Sequence, residues 1–282
     1  MSGFSLPVTA IVMTKNERSN IEKCMSSLQG VGEVFVVDSG SIDGTQALAA
    51  SMGAHIIDFQ WDGKYPKKKQ WCLDNLPFTH DWAFYVDADE EATPELLTEI
   101  ESTISSPDAK AGYFVGYDYL FLGKVLRHGQ RAYKLVFFNR YKGRFEQYDD
   151  LDAPNMWEVV GHYQPLIDGP VETLKSPMLH TDHDSMFHYF DRNNRYSDWE
   201  AVVRTKKKFV SKEETQLGNR GRLKAAFDRL PLKAPAAFVY SYVFKRGFLD
   251  GREGLHFALA KAFYYWQIEV KADEIRRANQ DG

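Results

Sequence analysis

Cysteine is scarce, with only Cys24 and Cys72 in 282 residues. Two thiols without CxxC or CxxH spacing exclude both a disulfide framework and a thiolate zinc site, and a reducing cytoplasm is the expected setting. No apolar run approaches the ~20 residues that a membrane-spanning helix needs. Residues 1–15 also lack the basic start and unbroken apolar stretch of a signal peptide. The phosphate loops GxxxxGK[ST] and GxGxxG are absent, which excludes a Walker nucleotide site and a Rossmann dinucleotide site. Internal repeats and low-complexity tracts are absent as well. What remains is ordinary for a globular chain: 44% of residues are hydrophobic and 26% charged, and the length suffices to bury a core without staples.

Charge is unevenly spread. Residues 1–199 carry 18 Lys and Arg against 29 Asp and Glu, whereas residues 200–282 carry 17 against 10. The acidic part would repel phosphate backbones, and no nucleic-acid motif is present, so nucleic acid is not an expected partner. The basic part mixes cations with aromatics, in Ala236 to Arg246 and again in Phe257 to Trp266. Such a stretch can lie at a membrane interface or pack against a neighbouring domain.

Short β-branched runs alternate with helical periodicity along the first hundred or so residues. Val8–Met13, Val34–Val37, His55–Asp58 and Trp82–Val86 read as buried strands,. Asn16–Gln29 and Asp43–Met52 read as helices closed by glycine,. This alternation predicts an α/β fold with a doubly wound parallel sheet, whose ligand belongs beyond the carboxyl ends of the strands. Glu95–Ser105 then reads as a helix, Tyr113–Phe121 and Lys134–Phe138 as strands, and the chain from Met186 onward as helical with a break near Gly218–Gly221. The expected division is a catalytic domain over 1–185, with halves 1–110 and 111–185, followed by a helical C-terminal region over 186–282.

Three strand ends carry polar clusters: Thr14-Lys-Asn-Glu17, Asp38-Ser-Gly-Ser-Ile-Asp43 and Asp87-Ala-Asp-Glu90. Asp87 and Asp89, one residue apart after a buried strand, can turn one carboxylate to a divalent cation and the other to a sugar. Mg²⁺ and Mn²⁺ favour oxygen ligands and the phosphates of a nucleotide. The same run reads equally well as the acidic N-terminus of a helix, whose dipole carboxylates offset. Asp38 ends a buried strand, where a carboxylate is costly unless something polar reaches it, and a base or ribose would serve.

In order and spacing, Pro7–Glu17, Val36–Thr45 and Asp81–Glu90 resemble the start of an inverting GT-A glycosyltransferase of family 2. Within that family the chain is similar to the short enzymes of the WaaE/KdtX type that glycosylate lipopolysaccharide inner core. Arg195-Tyr196 with Glu200-Ala201, and Gly247–Arg252 with Gly254-Leu255, extend the likeness. The resemblance implies a GT-A fold with a helical C-terminal extension, and a divalent cation (Mn²⁺ or Mg²⁺) as cofactor. The implied partners are a nucleotide sugar, a UDP-hexose with UDP-glucose as first choice, and a lipopolysaccharide-core or related glycan or glycolipid acceptor.

The same resemblance gives roles to particular positions. Thr14, Asn16 or Glu17, and Asp38 would contact the nucleoside, Lys69 the diphosphate, and Asp87 the ribose or donor sugar. Asp89 would hold the metal, and His180 would complete that site or touch the diphosphate. Glu158 would be the catalytic base in Trp157-Glu158, where the subgroup carries a His-Glu pair, with Asp150 and Asp152 as rivals. His183 and His188 read as surface residues. A nucleotidyltransferase and a non-catalytic nucleotide-sugar binder are the alternatives. The implied location is cytoplasmic, at the face of the inner membrane if the basic aromatic tail is peripheral.

Overall fold

The computed structural model describes residues 5–147, 150–151, 158, 164–181, 185–206, 227, 230 and 232–280. Along the chain come β1 (Leu6–Thr14), α1 (Ile21–Ser27), β2 (Val31–Asp38), α2 (Thr45–Ser51), β3 (His55–Asp58), α3 (Lys68–Asn75) and β4 (Trp82–Asp87). They are followed by β5 (Glu90–Ala92), α4 (Pro94–Ile104), β6 (Gly112–Phe121), β7 (Lys124–Leu126), β8 (Tyr133–Asn139) and β9 (Gly143–Arg144). Then come β10 (Leu166–Ile167), β11 (Val171–Thr173), β12 (Met178–His180), α5 (Met186–Thr205), α6 (Lys233–Val239) and α7 (Gly251–Ala278). Two compact units result. The first comprises residues 1–120, 132–146 and 163–183, and the second comprises 121–131, 147–162 and 184–282.

The first unit is built on a sheet of order β3-β2-β1-β4-β8-β6-β12-β5, with β11 beside β6. Strands β3, β2, β1 and β4 are parallel, as the β-branched runs predict. Beyond them β8 runs antiparallel to both β4 and β6. Val8, Ile11, Val12, Phe84, Val86 and Phe137 are fully buried, because helices cover the faces of the central strands and leave no polar side to alternate with,.

Two helices are shorter than their periodicity predicts. Residues 16–20 form a turn instead of the first helical turn, with Asn16 at φ 58°. Gly44, at φ 90°, delays α2 to Thr45, and its αL backbone is one that glycine tolerates without strain. Within the run Lys67–Gln70, residues 68–70 open a helix, α3, that their charge conceals. The Asp87–Glu91 run is not a helix N-terminus, since β5 intervenes. α4 starts afresh with Pro94 at its first turn and Thr93 as cap, whose hydroxyl accepts from Leu96 N at 3.2 Å,.

The second unit contains α5, α6 and α7 with a π-helical turn over Tyr240–Phe244 and a 3-10 turn over Gly247–Asp250. Buried Asp250 ties the 3-10 turn to residues 124–128, its carboxylate accepting from His128 N at 2.8 Å while its carbonyl accepts from Lys124 Nζ at 2.6 Å. No described helix is long and apolar enough to cross a membrane. The expected break at 218–221 lies outside the described residues.

Candidate active site

Strand register brings the polar clusters to one end of the sheet. Thr14 pairs with Asp38, Asp38 with Asp58, and Met13 with Asp87, so the carboxyl ends of four parallel strands finish in one row. That row is where an open α/β sheet presents its ligand.

At the β1 and β2 end, Asp38 is fully buried and already satisfied. Its carboxylate accepts from Thr14 Oγ1 at 2.7 Å, Ser41 N at 2.7 Å, Ser41 Oγ at 2.5 Å and Gln46 Nε2 at 2.7 Å. Burial alone would raise its pKa, but these hydrogen bonds outweigh burial and hold it below the usual value,. Four donors match the acceptor capacity of a carboxylate, so no base or ribose is needed to stabilise it. Asn16 knits the same loop, accepting from Ile42 N at 2.9 Å through Oδ1 while its own N–H donates to Ser41 Oγ at 2.7 Å. Glu17 N donates to Thr45 Oγ1 at 2.9 Å, and Glu17 Oε2 accepts from Asn20 Nδ2 at 2.9 Å. Of the four residues expected at the nucleoside, Thr14, Asn16 and Asp38 are thus joined around Ser41, a partner sequence reasoning passed over, while Glu17 bonds to Thr45 and Asn20.

Lysines follow on α3. Lys68 is nearly inaccessible and donates to Ser39 Oγ at 2.5 Å, at the end of β2. Lys69, expected at the diphosphate, is half-buried with its ammonium 5.9 Å from the Phe145 ring centroid. Burial lowers its pKa against the pull of Asp87.

The acidic cluster sits at the end of β4. Strand β12 lies between β6 and β5, pairing His180 with Glu90 on one side and with Tyr119 on the other. This register sets His180 Nε2 3.4 Å from Asp89 Oδ2, and Thr181 N donates to Asp89 O at 2.9 Å. Ligand atoms of Asp89, Glu90 and His180 lie within 4.8 Å of one another. Two carboxylates and an imidazole form a donor set that fits Mn²⁺ or Mg²⁺.

A residue without an expected role dominates the electrostatics. Lys134, from β8, donates to Asp87 Oδ2 at 2.9 Å and to Glu90 Oε1 at 2.7 Å. Burial would raise the Asp87 pKa, but Lys134 and Lys69 hold it well below the carboxylate range. Burial pushes Glu90 the other way, against the pull of Lys134, and the neighbouring Asp87 and Asp89 add to the rise. The Lys134 ammonium is held above its ordinary value: burial works against the charge, but Asp87 and Glu90 prevail. Its lone place in an aromatic strand gave no hint, because the contact depends on antiparallel pairing with β4.

The candidate base and one rival, Asp150, are in the second unit. Glu158 is half-buried. Asp150 is fully buried and accepts from Trp199 Nε1 at 2.9 Å, which gives that aspartate a structural task. Asp152, Trp157 and His183 lie outside the described residues, and His188 is exposed on the first turn of α5.

A model of the glycosyl transferase family 2 matches residues 9–174, from β1 through β11. The chain belongs to glycosyltransferase family 2. Among relatives, it is 31% identical over 156 residues to the lipopolysaccharide core biosynthesis glycosyltransferase LpsC of Rhizobium meliloti (strain 1021), covering 50% of this chain and 54% of LpsC. An uncharacterized glycosyltransferase of Rickettsia bellii (strain RML369-C) is 38% identical over 100 residues, covering 35% of this chain and 33% of that protein. The chain therefore matches about half or less of the length of these relatives. Among solved structures, glucosyl-3-phosphoglycerate synthase from Mycobacterium tuberculosis, in complex with Mn²⁺, UDP-glucose and phosphoglyceric acid, matches with a TM-score of 0.33 and 19% identity, over 39% of this chain and 43% of that one.

Proposed function

We propose that this family 2 glycosyltransferase moves a hexose, glucose from UDP-glucose, onto a lipopolysaccharide-core or related bacterial glycan acceptor, with inversion at the anomeric carbon. The observation that carries this reading is the meeting of Asp89, Glu90 and His180 at the end of β4, one residue from Asp87 and in the same row as Asp38. Resemblance to LpsC supports the acceptor class. Residues 1–110 are assigned to the nucleotide sugar, 111–185 to the acceptor side and 186–282 to a helical extension.

Asp89 and His180 would hold a divalent cation, which supplies Lewis-acid assistance to the departing diphosphate. Asp87 orients the ribose or donor sugar, and Lys69 offers its ammonium to the diphosphate. The Thr14, Asn16 and Asp38 network, with Glu17 beside it in the chain, shapes the wall for the nucleoside. Glu158 takes the proton from the acceptor hydroxyl. In the second unit, Val243, Phe244, Phe248 and Leu249 are each about half or more exposed beside exposed Lys245 and Arg246. This combination supports contact with an anionic bilayer that carries the acceptor.

Incubation with UDP-[14C]glucose, Mn²⁺ and a truncated core acceptor tests the reading. Label transferred to the acceptor is the expected result, and donor bound without transfer would overturn it in favour of a non-catalytic binder. Glu158→Gln should retain donor affinity while slowing transfer by roughly 10²–10⁴-fold, the usual contribution of a general base. Normal turnover in that variant, with the loss seen instead in Asp152→Asn, would reassign the base.

A further inference from the structure

The acidic cluster already contains a cation of its own. Lys134 Nζ is 2.9 Å from Asp87 Oδ2 and 2.7 Å from Glu90 Oε1, and it lies 4.8 Å from the centroid of the Tyr117 ring. Glu90 is 1% exposed. Its second oxygen accepts from Asp87 N at 3.0 Å and from the Tyr117 hydroxyl at 3.4 Å. Glu90 is therefore held on both oxygens by groups of the protein. Asp89 has a different neighbour, His180, at 3.4 Å. By distance alone Glu90 belongs with Asp89 and His180, yet an ammonium and a divalent ion drawn to one carboxylate repel each other twice as strongly as two monovalent charges.

We infer that Lys134 is a resident cation and positioning residue: it locks Asp87 and Glu90 together and confines the divalent ion to Asp89 and His180. The strand pairing explains why it can do so. β8 runs antiparallel beside β4, so the Lys134 side chain arrives at the carboxyl end of β4 from a fixed backbone, and it is only 20% exposed. A lysine there supplies one charge that needs no recruitment from solvent and cannot leave with product. Glu90 then serves as the anchor for that ammonium instead of as a metal ligand. Asp87, gripped on one oxygen, keeps its orientation whether or not the ion is bound.

This inference rests on the proposed metal reading, and a nucleotide-free measurement separates the two. Mn²⁺ binding is followed by loss of the free-ion EPR signal in wild type, Glu90→Gln, Lys134→Met and the double variant. Circular dichroism checks that each protein is folded. The expected result is a Kd for Glu90→Gln within about threefold of wild type, and a Kd for Lys134→Met about tenfold lower or more, because two carboxylates lose their internal counter-ion. The double variant should return most of the way toward wild type.

Weakening of about tenfold in Glu90→Gln, or no tightening in Lys134→Met, would overturn the inference. If Lys134→Met does not fold, Glu90→Gln decides alone by the same threshold. Wild-type protein that takes up no Mn²⁺ would overturn the metal reading, while uptake gained by Lys134→Met in that case would still support Lys134 as the resident cation.

Discussion

Two buried carboxylates, Asp38 at the end of β2 and Glu90 at the start of β5, are satisfied in opposite ways. Asp38 accepts four hydrogen bonds from neutral donors within its own loop system. Glu90 is held chiefly by one charged partner from a distant strand, Lys134. Neutral donors keep a carboxylate ionised without spreading charge, so the Asp38 loop is a finished wall. A cluster of three carboxylates, one ammonium and one imidazole retains spare acceptors and excess negative charge, which is what a divalent cation requires. One end of the row is built for shape and the other for charge.

The sharpest way to break this comparison is to remove one carboxylate from each end. Asp89→Ala should lower transfer by about 10³-fold or more, since metal assistance to a leaving diphosphate is worth several kcal/mol. Its melting temperature should stay near wild type, because the residue packs no core. Asp38→Ala should do the reverse. It removes the buried acceptor shared by the Thr14, Ser41 and Gln46 donors, for a loss of about 1–3 kcal/mol in urea unfolding. If the stability loss fell on Asp89 and the pure rate loss on Asp38, the two ends would have been assigned the wrong way round.

Acid unfolding sharpens the same point more gently. Its hydrogen bonds hold the folded Asp38 pKa below the ordinary aspartate value, so its stabilising contribution is present above the unfolded pKa and is lost as pH falls through the folded one. Asp38→Asn should therefore be less stable than wild type at pH 7, with the gap narrowing below about pH 4. A gap independent of pH would show that the carboxylate charge is irrelevant to the loop. The smallest expected effect is a control outside both ends. Thr93→Ala removes the α4 cap bond and should cost about 1 kcal/mol without changing transfer.

Much of the parallel half was legible, because strands covered on both faces must be apolar throughout. Val8–Met13 and Trp82–Val86 fall within β1 and β4. The polar row after them follows from the same logic, and so does the Asp87–Asp89 pair. What escaped the sequence depends on pairing between distant segments. Lys134 acquires its role only through β8 running beside β4, and β12 is wedged between β6 and β5 by register that no local pattern encodes. Helix α3 was hidden because Lys67 and Lys68 are buried, contrary to the usual fate of a lysine run. The turn at Asn16 replaced a helical start because Ser41 and Ile42, from the next loop, offer its backbone and side chain better partners.

The most direct test of the central claim is the metal dependence of transfer itself. Purified protein is stripped with EDTA, assayed with UDP-[14C]glucose and a truncated core acceptor, and assayed again after Mn²⁺ is restored, in parallel with Asp89→Ala. The account predicts transfer that disappears on stripping, returns with Mn²⁺ in wild type and stays absent in the variant. Wild-type transfer unchanged by EDTA, or Asp89→Ala restored to wild-type rate by Mn²⁺, would contradict it.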